Sequence, residues 1–309
     1  MGKRLLIAVD DTESAQRAIR YVGHMAGMIK DLHSVLLHIQ PAVSQFISDA
    51  AHSDPETREE LDRLKSANAY ASEALLERYQ GMLREMGVTV DRIATVSRPR
   101  KAGVAKTILD FGHENRLNAI VAGRRVLSPL KKTFLGSVSA DLVEHSTCLP
   151  IWIVGSEPPN NRILVPVDGS ESALRAVDHL GHMFKGHPDV QFQFFHIIPR
   201  MVESCPIDFG SGLERLERVG RRGAHHCIDN FYAKAVSLLE TAGLKEQQID
   251  IKVSERMINP GKGIVSEINR GDYRTVVIGR RGMNQSFFAG SVSRYLLNKT
   301  DHVTLWLVT

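Results

Sequence analysis

The sequence predicts a duplicated α/β protein: two doubly wound, mostly parallel five-stranded sheets of Rossmann-like type, joined in tandem. Three observations carry that prediction. The segment Arg4 to Met25 returns as Arg162 to Met183, and the two agree at twelve of twenty-two positions. In each copy a continuous apolar run of strand length hands over to apolar residues at helical spacing, and the alternation then repeats. Glycine-rich segments recur late in each copy: Gly123-Arg124-Arg125 is answered by Gly279-Arg280-Arg281, and Gly136-Ser137-Val138-Ser139 by Gly290-Ser291-Val292-Ser293.

Taken in order, Leu5 to Val9 is the first strand, apolar throughout as a parallel strand buried on both faces must be. Ala15, Ala18, Ile19, Val22, Met25 and Ala26 then set out the buried face of a helix, repeated by Ala173, Ala176, Val177, Leu180, Met183 and Phe184. Further strands are expected at Ser34 to His38, Val88 to Ala94, Ala119 to Ala122 and Ile151 to Val154. Their counterparts are Gln191 to His196, Ile249 to Val253, Thr275 to Ile278 and Val303 to Val308. A long helix precedes the third strand, with Asp54 as N-cap and Pro55 at its first position. Leu64, Ala67, Ala71, Leu75, Met82 and Met86 are its expected buried stripe. Domain one is residues 1–155 and domain two is 162–309. Residues 156–161 (Ser-Glu-Pro-Pro-Asn-Asn) form a polar linker.

Composition bounds the function. The chain has 309 residues, 43% hydrophobic and 24% charged, the balance of an ordinary globular protein. No apolar run approaches the roughly 20 residues of a membrane span. Asp10 and Asp11 cut short an N-terminal stretch that begins like a signal peptide. A net charge of +4 without a concentrated basic stripe gives no reason to expect nucleic acid. Cys148, Cys205 and Cys227 are odd in number and far apart, which suits a reducing cytoplasm and gives no zinc or disulfide pattern. The expected location is cytoplasmic.

In an open parallel sheet, ligands bind beyond the carboxyl ends of the strands. Two features of each copy fall there. After strand one comes an acidic turn, Asp10-Asp11-Thr12 in the first copy and Val167-Asp168-Gly169-Ser170 in the second. An aspartate there can accept hydrogen bonds from a ribose or an amine. After strand four comes the glycine-rich segment, whose Gly-Ser helix start offers unpaired N–H groups and a hydroxyl to an anion. Together they read as a site for an adenosine phosphate.

Both halves resemble the universal stress protein family, and the chain as a whole resembles its tandem members. The resemblance rests on a first strand ending in the acidic turn and on a loop of the form G-x2-G-x9-G-[ST]. It implies strand order 3-2-1-4-5, binding of ATP or AMP (with Mg accompanying ATP) and pairing through the last strands. A tandem chain could satisfy that pairing internally, as a pseudo-dimer, with further homodimer formation also open. Carried over, the binding positions are Asp10, Thr12, Gly123, Arg124, Gly136, Ser137 and Ser139 in the first half. In the second they are Val167, Asp168, Gly169, Ser170, Gly279, Arg280, Gly282, Gly290, Ser291, Val292 and Ser293.

Each half departs from the pattern. In the first, nine residues separate Val126 from Gly136, the family length, but Val126 replaces the second glycine. Asp11 adds negative charge, partly offset by Lys131 and Lys132. In the second, Gly282 is kept, but only seven residues lead from it to Gly290, and they include Phe287-Phe288. The kept glycines favour the second half as the nucleotide site.

Structural readings stand beside these. The glycines can serve tight packing, and the aspartates can cap helix one. His24 and His182 sit inside the first helix of each copy, where packing or surface roles are expected. His225-His226-Cys227-Ile228-Asp229 and the basic group Arg98, Arg100 and Lys101 read as surface features. The leading expectation is a stress-associated regulatory protein that binds an adenine nucleotide and acts on an unknown protein partner. The alternative is a scaffold whose degenerate loops no longer hold nucleotide. A slow ATPase is the remaining class; no catalytic or metal-binding set is identified.

Overall fold

The protein, described here from a computed structural model, is defined over residues 2–100, 103–125, 135–156, 158–199, 228–257, 259–280 and 291–309. It divides into two compact units, the first built mainly from residues up to Val154, the second from Gly155 onward.

The first unit runs β1 (Lys3–Val9), α1 (Glu13–Met28), β2 (Leu32–Gln40), α2 (Gln45–Ser53), α3 (Pro55–Glu85), β3 (Ile93–Pro99), α4 (Val104–Glu114), β4 (Ala119–Gly123), α5 (Ser137–His145) and β5 (Ile151–Val154). All pairings are parallel: β2 with β3, β1 with β2 and β4, and β4 with β5, so the order is 3-2-1-4-5. β1 is central, and its Leu5, Leu6 and Ile7 are wholly buried because both faces of the sheet are covered. The side chains of β2 alternate. His38 bonds Ser72 of α3 on one face, while Leu37 and Ile39 turn to α4 on the other.

The second unit repeats this as β6 (Arg162–Val167), α6 (Glu171–Met183), β7 (Gln191–Pro199), α7 (228–241), β8 (Ile249–Met257), α8 (Pro260–Gly271), β9 (Thr275–Gly279), α9 (Ser291–Lys299) and β10 (Thr304–Val308). Its parallel order is β8-β7-β6-β9-β10. α6 buries Ala173, Ala176, Val177, Leu180 and Met183, the stripe its spacing predicts. Beneath its end, Phe184 stacks on Trp306 with ring centroids 5.8 Å apart.

Two sequence expectations need correction. The third strand begins at Ile93 rather than Val88, because the end of α3 is closed by local backbone bonds. Gly87 takes a left-handed φ of 88° and donates to the Arg84 carbonyl, and the Val88 N–H donates to Leu83. Val88 and Val90 thus mimic strand alternation while belonging to a helix stop and a 3₁₀ turn. The buried stripe of α3 is also rotated: Leu61, Ser72, Leu76, Tyr79 and Leu83 face inward, while Leu64 is 45% exposed. Apolar residues lie on both sides of this helix, and the sheet selects the face carrying Tyr79. α2 is an added element that the sequence reading does not contain.

Among the described residues, no helix is long and apolar enough to cross a membrane.

Candidate functional site

At the end of β1 the chain turns into α1 through Asp10-Asp11-Thr12. The Thr12 hydroxyl accepts from the Ala15 N–H at 3.3 Å, capping the helix, and donates to Asp10 Oδ1 at 2.5 Å. The second unit builds the same device. Ser170 accepts from Ala173 at 3.3 Å and donates to Asp168 Oδ1 at 2.5 Å, and its N–H reaches the same oxygen at 3.1 Å. One carboxylate oxygen in each acid is therefore committed to the helix cap.

The turns differ at their middle residue. Gly169 has a φ of 80°, a conformation that L side chains resist, whereas Asp11 is not among the residues with positive φ. Asp11 is instead held by α3, through an ion pair with Arg78 at 2.5 Å. Arg78 lies over the Tyr79 ring, and the buried Tyr79 hydroxyl donates to the Asp10 carbonyl at 2.8 Å. On the same face, His38 is joined to Ser72, Ser97 and Gln40 by hydrogen bonds of 2.7, 2.7 and 2.8 Å in succession. Burial lowers the His38 pKa, with the nearby Asp10 charge opposing it.

Gly123 ends β4 under the first turn of α1. A Cβ there would stand 2.0 Å from the Ser14 carbonyl oxygen, and one on Gly279 would stand 2.1 Å from that of Ser172. These glycines are required by the close approach of helix to strand. Ser139, from the first turns of α5, donates to the Gly123 carbonyl at 3.0 Å and pins α5 against the same strand end.

Around these strand ends each unit carries a cavity. The first, about 240 Å³, is bounded by Val9, Asp10, Leu37, Ile39, Val104, Ile108, Arg125, Gly136 and Ser139. Val104 and Ile108 of α4 face Leu37 and Ile39 across an apolar slot, and Asp10, Arg125 and Ser139 supply polar groups beside it. Arg125 Nη2 lies 3.6 Å from Asp10 Oδ2, both side chains being about half exposed. The second cavity, about 120 Å³, is bounded by Val167, Asp168, Phe195, Ile197, Pro260, Ile264, Val292 and Ser293. Phe195 stands where the first unit has Leu37.

The structure brings together many of the residues singled out from the sequence. Asp10, Gly123, Gly136 and Ser139 line the first cavity, and Val167, Asp168, Gly279, Val292 and Ser293 line the second. Thr12, Gly169 and Ser170 stand behind the acids in the turns. Ser137 is exposed at the start of α5, and Ser291 opens α9. Arg124 and Arg280 do not join either wall. Both are buried, at 1% and 7% exposure, and their N–H groups donate to Val154 and Val308, extending the pairing of strands. Alternation along the extended chain sends Arg125, not Arg124, to the cavity. Gly282 and Gly290 lie outside the described residues, as do Val126, Lys131, Lys132, Phe287, Phe288, Lys101, His225, His226 and Cys227.

Sequence reasoning missed the apolar slot. The signal available was the apolar end of the second strand in each copy, Leu37 and Ile39 or Phe195 and Ile197, together with the first turns of the helix that follows the third strand. His24 and His182 are exposed on their helices. Arg98 sets its guanidinium over the Phe111 ring at 5.8 Å, against α4. Among the described residues, no group of three or more His, Cys, Asp or Glu side chains is arranged to hold a metal ion.

Comparison with known proteins agrees with the duplication. The family model described as "Universal stress protein family" matches residues 1–155 and again 159–306. A universal stress protein of Mycolicibacterium smegmatis is 23% identical over 299 residues, covering 94% of this chain and 91% of that protein. The universal stress protein YxiE of Bacillus subtilis is 26% identical over 154 residues, half of this chain and 99% of its own length. The crystal structure of a universal stress protein from Archaeoglobus fulgidus shares the fold, with a TM-score of 0.64 at 15% identity, over 99% of this chain and 98% of that one. Two family matches on two units of one topology leave a single assignment: the chain belongs to the universal stress protein family, as a tandem two-domain member.

Proposed function

We propose that the protein is a cytoplasmic, stress-associated regulator that binds an adenine nucleotide, AMP or ATP, in its first unit. The observation that carries this reading is the cavity of about 240 Å³ at the strand ends of that unit, close to the lower limit of about 300–1,000 Å³ for small-molecule pockets. Its apolar slot fits a flat base, and Asp10 can accept from a ribose or amine. Arg125 and the start of α5 offer donors to phosphate. The kept glycines point instead to the second unit, but a cavity of about 120 Å³ leaves little room for more than a fragment of a nucleotide. The larger cavity favours the first unit. Any Mg would enter with ATP rather than on a cluster of protein ligands.

The test is direct. Purified protein is denatured and any released nucleotide identified by chromatography, and AMP and ATP are then titrated by calorimetry. We expect binding that D10A weakens and D168A does not. No affinity below roughly millimolar for either nucleotide, with none released, overturns the reading. A second reading, as an interaction scaffold, is favoured by exposed apolar residues on α2 and α3: Phe46 at 81%, Tyr70 at 75% and Leu64 at 45%. Binding rather than turnover is proposed, and loss of ATP that depends on the protein would revive a slow ATPase.

A further inference from the structure

Arg125 occupies an unusual place in the first cavity. Its guanidinium reaches back to Asp10 at the end of β1, with Nη2 3.6 Å from Oδ2. Its stem lies along Gly136 at the start of α5, so that a Cβ there would meet Arg125 Cδ at 3.2 Å. The side chain therefore spans the two positions where a nucleoside and its phosphate would be expected to bind. Asp10 has only one oxygen on offer, because Oδ1 accepts from Thr12. The remaining oxygen faces Arg125.

From this geometry we infer that Arg125 is the residue by which the first unit distinguishes a nucleotide from a nucleoside; the inference rests on nucleotide binding in that unit. A guanidinium has five donors and no acceptor, so it gains nothing from a ribose hydrogen or a base amine. A carboxylate has only acceptors. A bare nucleoside can donate to Asp10 but offers Arg125 only neutral acceptors, its hydroxyl oxygens and ring nitrogens, so displacing Arg125 leaves the guanidinium without a charged partner. A phosphorylated nucleoside satisfies both groups at once, its hydroxyl or amine donating to Asp10 and its phosphate accepting from Arg125. The exchange is favourable because the pair given up is loose and half exposed, the kind that contributes little. What replaces it is a charge-assisted, bidentate contact, among the stronger hydrogen bonds a protein makes. Gly136 leaves room for the stem: a Cβ there would stand 3.2 Å from Arg125 Cδ and press on it.

The experiment measures AMP and adenosine by calorimetry on the full chain, with R125A and R125K beside the parent. For R125A we expect AMP affinity to fall about tenfold or more, the loss of one charge-assisted contact. Adenosine affinity should rise about twofold, since Asp10 is no longer shared. R125K should recover part of the AMP affinity, because it restores charge without the fork. If R125A weakens AMP and adenosine equally, or leaves AMP unchanged, Arg125 does not read phosphate and the inference is overturned while nucleotide binding stands. If the parent protein binds neither ligand, nucleotide binding in the first unit is itself overturned, and this inference with it.

Discussion

Gly123 and Ser14, more than a hundred residues apart, are packed so closely that a methyl group on the glycine would stand 2.0 Å from the serine carbonyl oxygen. Gly279 and Ser172 repeat the relationship at 2.1 Å. Backbone stands on both sides of each contact, so no side chain can rotate away to make room. We expect G123A and G279A each to cost about 1–3 kcal/mol, as overpacked sites do. G81A is the contrast: nothing lies within 4 Å of that position in α3. It should gain about 0.5–1 kcal/mol from helix propensity alone. Urea unfolding midpoints check both, and a G123A variant as stable as the parent would remove the packing explanation.

The turn of the second unit has its own strain. Gly169 holds a φ of 80°, and Ser170 both caps α6 and orients Asp168. G169A should cost about 1–2 kcal/mol from left-handed strain, and S170A about 1 kcal/mol from loss of the cap. Thermal unfolding reads these effects. S170G should lose less than S170A, and the reverse ranking would count against a capping role.

In the first unit the acid is steadied from below by Tyr79, whose fully buried hydroxyl donates to the Asp10 carbonyl. Y79F removes that donor, and a cost of about 1 kcal/mol is expected, together with weaker AMP binding through a looser Asp10. The exposed Arg78–Asp11 pair above it should contribute less than about 1 kcal/mol. Calorimetry and denaturant titration on Y79F and D11N separate the two, and a larger effect in D11N would reverse their assigned roles.

Acid should destabilise the second unit through His179. Burial, with the charge of His182 adding to it, lowers this histidine to about 3, and its ring packs edge-on to Trp306 at 5.8 Å. Between about pH 6.5 and 3 the unfolded chain binds a proton that the folded chain refuses. Stability therefore rises with pH across that window and falls on acidification, by up to about 1.4 kcal/mol per pH unit. His38, also lowered by burial, acts in the same direction. H179Q should flatten the dependence of the urea midpoint on pH between 6 and 4. An unchanged slope would place the acid sensitivity elsewhere.

Much of this architecture is legible in the sequence because it is local. A strand buried on both faces must be apolar along its length, as Leu5 to Val9 is. A helix packed on it repeats its apolar positions at three and four residues, as α1 and α6 do. Asp54 before Pro55 starts a helix whatever surrounds it, and its side chain accepts from the Thr57 N–H. The phase of α3 was not legible, because apolar residues lie on more than one side of that helix and only the sheet beneath chooses among them.

For the site, the sequence by itself determined the two acids, the glycines after the fourth strands and the duplication that pairs them. Their purposes were decided by tertiary structure. Gly123 and Gly279 are needed where a distant helix turn crosses a strand end. Of two adjacent arginines, Arg124 is buried and Arg125 enters the cavity, because neighbours in an extended chain point to opposite faces. Leu37 and Phe195 line cavities of about 240 and 120 Å³, and nothing in their local sequence says that a pocket lies in front of them. Periodicity and capping act among residues within a turn or two of one another, so they can be read along the chain. Clearance, burial and cavity volume arise between segments far apart in sequence, and they exist only once the sheet has brought those segments together.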